Sequence, residues 1–215
     1  MSSPWAFGWD QLAAFATPAA IVFAAVIAKR SVREWRQERL DARQSEVAEQ
    51  ALSLAYQASE VFNRIRSVGG FVGEGSSRKP EADETPEDKQ RRDLDFVPIE
   101  RIANEARFFE QVVEIRPRVD ALFGKGQAEP FNEFLRIRWE IIGAARALSQ
   151  LRRRTHFRTE EQEEKHREQM EKYERIVWCW PENDPFAKDL KKAVASIEKL
   201  AAPLLESRFR PRKAT

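Results

Sequence analysis

Apolar positions follow three regimes along the chain. Gln11 to Ala28 is an unbroken uncharged run, and from Val47 to Val68 apolar residues recur at alternating spacings of four and three. Beyond residue 97 they return in separate blocks at helical spacing. The alternation of period two that marks a half-buried strand does not occur. The pattern predicts an all-α protein, with an N-terminal transmembrane helix continuous with a long helix that packs into a cytoplasmic bundle of about five helices.

The first regime sets the expected location. A helix of 18 residues rises about 27 Å, close to the roughly 30 Å hydrocarbon core of a bilayer. Leu12, Phe15, Ile21, Val22, Phe23, Val26 and Ile27 supply its hydrophobicity, with alanine filling most of the rest. Trp5 and Trp9 precede the run, where amphipathic rings favour the headgroup zone, and Lys29 and Arg30 follow it directly. Residues 1–10 contain no Lys or Arg, whereas 29–43 contain Lys29, Arg30, Arg33, Arg36, Arg39 and Arg43. Cytoplasmic flanks retain positive residues, so the expectation is a single-pass inner (plasma) membrane protein, N-terminus outside and C-terminal body cytoplasmic. A cleaved signal peptide would carry its basic residues before the run, the reverse of this order. A buried helix of a soluble domain is the other alternative, since alanines suit close packing. Thr17-Pro18 predicts a kink or the ordered start of the helix. Ala16, Ala20, Ala24 and Ala28 form a stripe of small residues through which two membrane helices could pair.

The remaining regimes divide the chain into an anchor (1–30), a charged juxtamembrane helix (31–46), a bundle (47–207) containing a mobile loop (69–95), and a basic tail (208–215). Val47, Ala51, Leu54, Ala58, Val61, Ile65 and Val68 form a heptad-like seam, which Leu52, Tyr56 and Phe62 widen toward a globular bundle. Either packing within the bundle or a parallel coiled coil would use it. Gly69-Gly70 ends that helix. Residues 73–93 are polar and aperiodic and predict an exposed, mobile loop, with Thr85 as N-cap and Pro86 at the first position of a short helical turn. A second helix is expected from near Pro98, with Ile99, Ile102, Ala106, Phe109 and Val113 on one face. Pro117 should kink or break it before Val119, Leu122 and Phe123. A central core helix is expected from Pro130 to about Arg154, a fourth from Thr159, capped with Gln162, to about Trp178, and a fifth from Asp184-Pro185 through Leu204.

Composition narrows the function classes. Lys and Arg number 37 against 35 Asp and Glu, a mixed balance unlike that of a dedicated nucleic-acid binder. The single Cys179 excludes an intramolecular disulfide and agrees with a reducing compartment. Eight glycines and 11 prolines are too few for a turn-rich β protein. Gly73-Glu74-Gly75 lacks the lysine and the strand-to-helix setting of a phosphate loop. Glu163 and His166 have the three-residue spacing of a di-iron bundle ligand pair, but no second Glu-x-x-His exists, so a solvated face is expected and no metal or cofactor. Cys179, between Trp178 and Trp180, is expected as a small packed residue, and Trp139, Trp178 and Trp180 as core aromatics. Arg152, Arg153, Arg154 and Arg158 complement the dipole of the helix they follow and are the candidate contacts for an anion, lipid or nucleic acid. Arg208, Arg210, Arg212 and Lys213 admit the same readings.

Through VPIERIANEARFF (97–109), ALFGKGQAEPFNEF (121–134) and EKYERIVW (171–178), the chain resembles a group of uncharacterised bacterial proteins with one N-terminal membrane helix and a helical cytoplasmic body. The resemblance implies that architecture and carries no activity. The expected function is non-catalytic: protein interaction or self-association at the cytoplasmic face, with membrane lipid and a protein partner or second copy as partners. The alternative is a membrane-tethered effector responding to nucleic acid or nucleotide.

Overall fold

The computed structural model describes residues 9–81, 84–153, 156–180, 182 and 184–209, and the side chains among them from residue 23 to 205. Six helices and no strand occur among the described residues: α1 (Trp9–Ile65), α2 (Pro86–Asn104), α3 (Ala106–Phe123), α4 (Glu129–Leu151), α5 (Glu160–Val177) and α6 (Ala187–Phe209). The chain divides into two units, Met1–Ser45 and Glu46–Thr215.

In the first unit α1 is helical without interruption from Trp9, through Thr17-Pro18. Its described side chains up to Arg43 are all exposed, including Phe23 at 67%, Val26, Ile27, Val32, Trp35 and Leu40. Trp5 lies outside the described residues, and the side chains of Trp9, Leu12, Phe15, Ile21 and Val22 lie outside the described side chains, as do Ala16 and Ala20 of the small-residue stripe. Among the described residues no helix is long and apolar enough to cross a membrane.

In the second unit the seam of α1 is buried from Val47 to Ile65, and Ala48, Ala55 and Phe62 widen it. Tyr56 and Val68 are exposed instead, Val68 because the helix has already ended. Phe62 meets Phe109 at 6.0 Å between ring centroids and Phe134 at 6.5 Å, joining α1 to α3 and α4. Helix α4 is the hub, with α2, α3, α5 and α6 all against it. Its Phe131, Phe134, Ile137, Ile141 and Leu148 are wholly inside, as the 3.6-residue period requires of a helix with several neighbours. Ile197 of α6 closes the same core, and Val97, Ala144, Ala145, Val177 and Trp178 form a smaller one.

The region between α1 and α3 departs from expectation. Residues 72–78 form successive turns, with Ser76 N–H donating to the Gly73 carbonyl and Arg78 N–H to the Gly75 carbonyl, and helix begins at Pro86, twelve residues before the helix expected from near Pro98. Thr85 does cap it, its Oγ1 accepting from the Asp88 amide at 3.1 Å. The first two turns of α2 give no apolar signal because charge holds them. Arg78 pairs with Glu84 at 2.8 Å and Asp93 at 3.1 Å, and Lys89 with Asp93 at 2.5 Å. Gly75, at φ +81°, passes so close to α2 that a Cβ there would stand 1.9 Å from the Asp93 carbonyl oxygen, so only glycine fits. Its amide donates to the Glu100 carboxylate. The helix runs through Pro98, and a break at Glu105 separates α2 from α3. The buried stripe nevertheless runs on at helical spacing across the break, through Arg101, Phe108, Val112, Ile115 and Val119, and Ile99, Ala106 and Val113, each seven apart, lie along its edge. Ala106 and Val113 therefore turn outward, and Phe108, Phe109 and Val112 turn inward. Helix α3 continues through Pro117 without ending.

Helix α4 ends at Leu151. At the start of α5, Thr159 accepts from the Gln162 amide as expected, but the Gln162 side chain accepts from the Arg158 amide rather than reaching the cap residue itself. Asp184 accepts from the Phe186 amide at 2.9 Å, and α6 proper begins three residues after it.

Candidate anion-binding cleft

Two buried arginines organise the second unit. Arg66, 1% exposed, follows directly on α1 and reaches the end of α5: its Nε donates to the Ile176 carbonyl at 2.9 Å and its Nη2 to those of Arg175 (2.9 Å) and Trp178 (3.3 Å). Its Nη1 pairs with Asp184 at 2.6 Å, and its guanidinium lies 4.8 Å from the Phe186 ring centre. The Cys179 amide in turn donates to the Arg66 carbonyl at 2.7 Å. One guanidinium thereby satisfies carbonyls that a helix C-terminus leaves unpaired and joins α1, α5 and the approach to α6. Arg101 does the same for α1. It donates to the Ser67 and Gly69 carbonyls at 2.8 and 2.9 Å and makes a two-pronged pair with Glu74, whose carboxyl it holds below its ordinary range. Sequence reading did not single out either residue. A signal was present, since Arg66 stands four positions after Phe62 and Arg101 four after Val97, each on the buried stripe of its helix.

The predicted arginine cluster is divided by the structure. Arg152 is engaged internally, pairing with Asp95 of α2 at 2.5 Å and Glu174 of α5 at 2.8 Å. Asp95 is 2% exposed, and opposing influences act on it. Burial raises its pKa and Arg152 lowers it, while the Glu174 charge raises it again; burial wins, leaving Asp95 at about 6. Arg153 is exposed and pairs with Glu81 at 2.7 Å, Arg158 is exposed, and Arg154 lies outside the described residues together with the tail cations Arg210, Arg212 and Lys213.

Beside the Asp95–Arg152 pair opens a cleft of about 350 Å³ between the 78–81 segment, α2 and α4. Its rim carries Arg78, Lys79, Arg92, Arg146 and Arg153, and its apolar lining includes Phe96, Ile99 and Ala145. Arg78 is neutralised by Glu84 and Asp93. Arg92 Nη1 is 2.8 Å from Glu81 and 3.2 Å from Glu84, without a well-directed hydrogen bond to either. Lys79 and Arg146 form no ion pair among the described residues. The arrangement can hold negative charge. It presents no nucleophile and base in contact.

Other candidates fall elsewhere. Trp178 is buried, but Trp139 (61% exposed) and Trp180 (49%) are not core residues, because they lie beyond the stripes that α4 and α5 turn inward. Cys179 is half-buried with Sγ 3.9 Å from Asp184, and burial pushes its thiol pKa up. His166 packs its ring 4.7 Å from that of Phe157, and Glu163 is exposed on the same helix. No protein-family model matches the chain, and no curated protein and no solved structure is significantly similar to it.

Proposed function

We propose that the chain is a single-pass inner-membrane protein, N-terminus outside, whose helical body works at the cytoplasmic face without catalysis, by binding a protein partner or a second copy of itself. The observation that carries the reading is the layout of α1 over its first unit. Trp9 and Trp35 stand 26 residues apart on one uninterrupted helix, a rise of about 39 Å, against a bilayer of roughly 40–45 Å with its headgroup regions. The uncharged run lies between them, and the part whose side chains are described, from Phe23 to Ala28, is exposed throughout. On the proposed cytoplasmic side Arg39 lies 4.1 Å over the Trp35 ring, a pairing of cation and amphipathic aromatic suited to the headgroup zone.

Reporter fusions test the orientation. A reporter active only in the cytoplasm should work at the C-terminus, and a reporter active only after export should work at the N-terminus; the opposite pattern overturns the topology. Crosslinking in intact cells tests the interaction, with a self-crosslinked dimer or one reproducible protein adduct expected, and the absence of any adduct counting against it. The alternative, an effector responding to nucleic acid or nucleotide, loses Arg152 to its two carboxylate partners and retains the exposed Arg153 and Arg158. Salt-dependent retention of the protein on nucleic acid, lost with Arg153→Ala, would favour it.

A further inference from the structure

We propose that the cleft between the 78–81 segment, α2 and α4 is a binding site for a small phosphate-bearing anion, and that the Glu81 carboxylate occupies the anion's place when the site is empty. The inference gives the nucleotide alternative a location, and it stands apart from the membrane reading because it concerns the second unit alone.

Glu81 is the least committed member of the charge network. Its side chain is 55% exposed, yet its two oxygens reach Arg153 at 2.7 Å and Arg92 at 2.8 Å, bridging α2 to the end of α4. Arg153 and Arg92, in that order, hold its carboxyl below the ordinary range. A carboxylate supported by two guanidinium groups occupies the place that one phosphate would, and a guanidinium recognises either group through the same forked geometry. The other acids nearby are not displaceable in this way. Glu84 is 2% exposed under Arg78 and Arg92, Asp93 is shared by Arg78 and Lys89, and Asp95 is buried against Arg152.

If Glu81 swings out to solvent, Arg92 and Arg153 lose one negative charge while Lys79 and Arg146 continue to face the same space. Arg92 keeps Glu84 at 3.2 Å, but Arg153, Lys79 and Arg146 then have no carboxylate paired with them among the described residues, and a single carboxylate cannot balance all three. A ligand with two or more negative charges can, which makes a diphosphate group a better occupant than the internal carboxylate. Beneath the cations Phe96, Ile99 and Ala145 offer an apolar surface against which a flat organic moiety can lie. About 350 Å³ is at the lower end of the range for small-molecule sites, a size that suits a nucleoside diphosphate.

The test is calorimetric titration of the full-length protein in detergent with inorganic pyrophosphate and with ADP, at low and at physiological salt. One saturable site is expected, weakening with salt, with ADP bound more tightly than pyrophosphate. Glu81→Gln should tighten binding about fivefold by removing the internal competitor, and Arg146→Ala with Arg153→Ala should weaken it about tenfold or more. Tightening by Glu81→Gln cannot arise from damaged folding, so the pair of variants separates loss of the site from loss of structure. No saturable binding by either the native protein or Glu81→Gln overturns the proposal, as does binding indifferent to all three substitutions. Binding of a single-stranded oligonucleotide with none of the small phosphates also overturns it.

Discussion

The two halves of α1 carry apolar side chains of the same kinds and meet different fates. Phe23, Val26 and Ile27 are exposed, whereas Leu54, Val61, Phe62 and Ile65 are buried. The helix itself does not distinguish them. What differs is the neighbourhood: the C-terminal half packs on α3 and α4 through a cluster of phenylalanines, and the described part of the N-terminal half has nothing against it within its unit. Exposed apolar residues such as these suit another solvent or a partner, and the proposed membrane placement supplies lipid for the uncharged run with its tryptophan and arginine flanks. The comparison teaches that helical continuity and burial are separate properties.

The comparison breaks most sharply where the buried half is joined to the bundle. Arg66→Ala removes one member of a buried ion pair and leaves Asp184 and three carbonyls without their donor; a loss of about 3–5 kcal/mol in denaturant unfolding is expected. An unchanged midpoint would mean that this junction is not structural. Phe62→Ala should cost a similar amount, about 3–5 kcal/mol, by opening a cavity among Phe109 and Phe134. Phe23→Ala, the matching change in the other half, should leave the unfolding of the bundle where it was. Equal effects of the two would abolish the distinction between the halves.

A smaller effect is readable through pH. Asp95 has a folded pKa of about 6, raised above its ordinary 3.8, so the folded state holds this proton more tightly than the unfolded one. The stabilisation is complete below about pH 4 and is lost as the pH rises through 6, by at most roughly 3 kcal/mol. Glu74, Glu81 and Glu133, whose pKa values are lowered by Arg101, Arg153 and Arg136 respectively, act oppositely and lose their contribution as the pH falls. The diagnostic is therefore the difference between the native protein and Asp95→Asn. The native protein should lose stability relative to the variant between pH 4 and 6.5, and a constant difference across that window would contradict the assignment.

Some of this fold was legible in the sequence because burial imposes spacing. The 4-3 recurrence of Val47 to Ile65, the stripe of α4 and the Thr85 and Thr159 caps follow from local geometry and are present. The start of α2 at Thr85-Pro86 was legible, but its continuation without interruption into Pro98 was not, because those turns are held by Arg78, Glu84, Lys89 and Asp93 rather than by an apolar face, and charged residues look the same in a loop as in a paired helix. The split between α2 and α3 was missed because Glu105 has no glycine or proline to announce it, and Ala106 and Val113 were misplaced because they sit at the edge of a stripe whose centre is Arg101, Phe108 and Val112. Within the candidate site, Arg153 was singled out in sequence as one of four possible anion contacts. Its partner Glu81, 72 residues earlier in the chain, was not, since pairing over that separation is fixed only by the packing of α2 on α4. Spacing placed Arg66 and Arg101 on buried stripes, but their partners, carbonyls at distant helix ends, are not encoded by any spacing.

The assignment of the N-terminal half of α1 to lipid is tested most directly by alkaline extraction of membranes from cells expressing either the full chain or residues 31–215. The account predicts that the full chain stays in the membrane pellet at high pH and that the shorter chain is recovered in the supernatant with its helical content intact. Release of the full chain into the supernatant would contradict it.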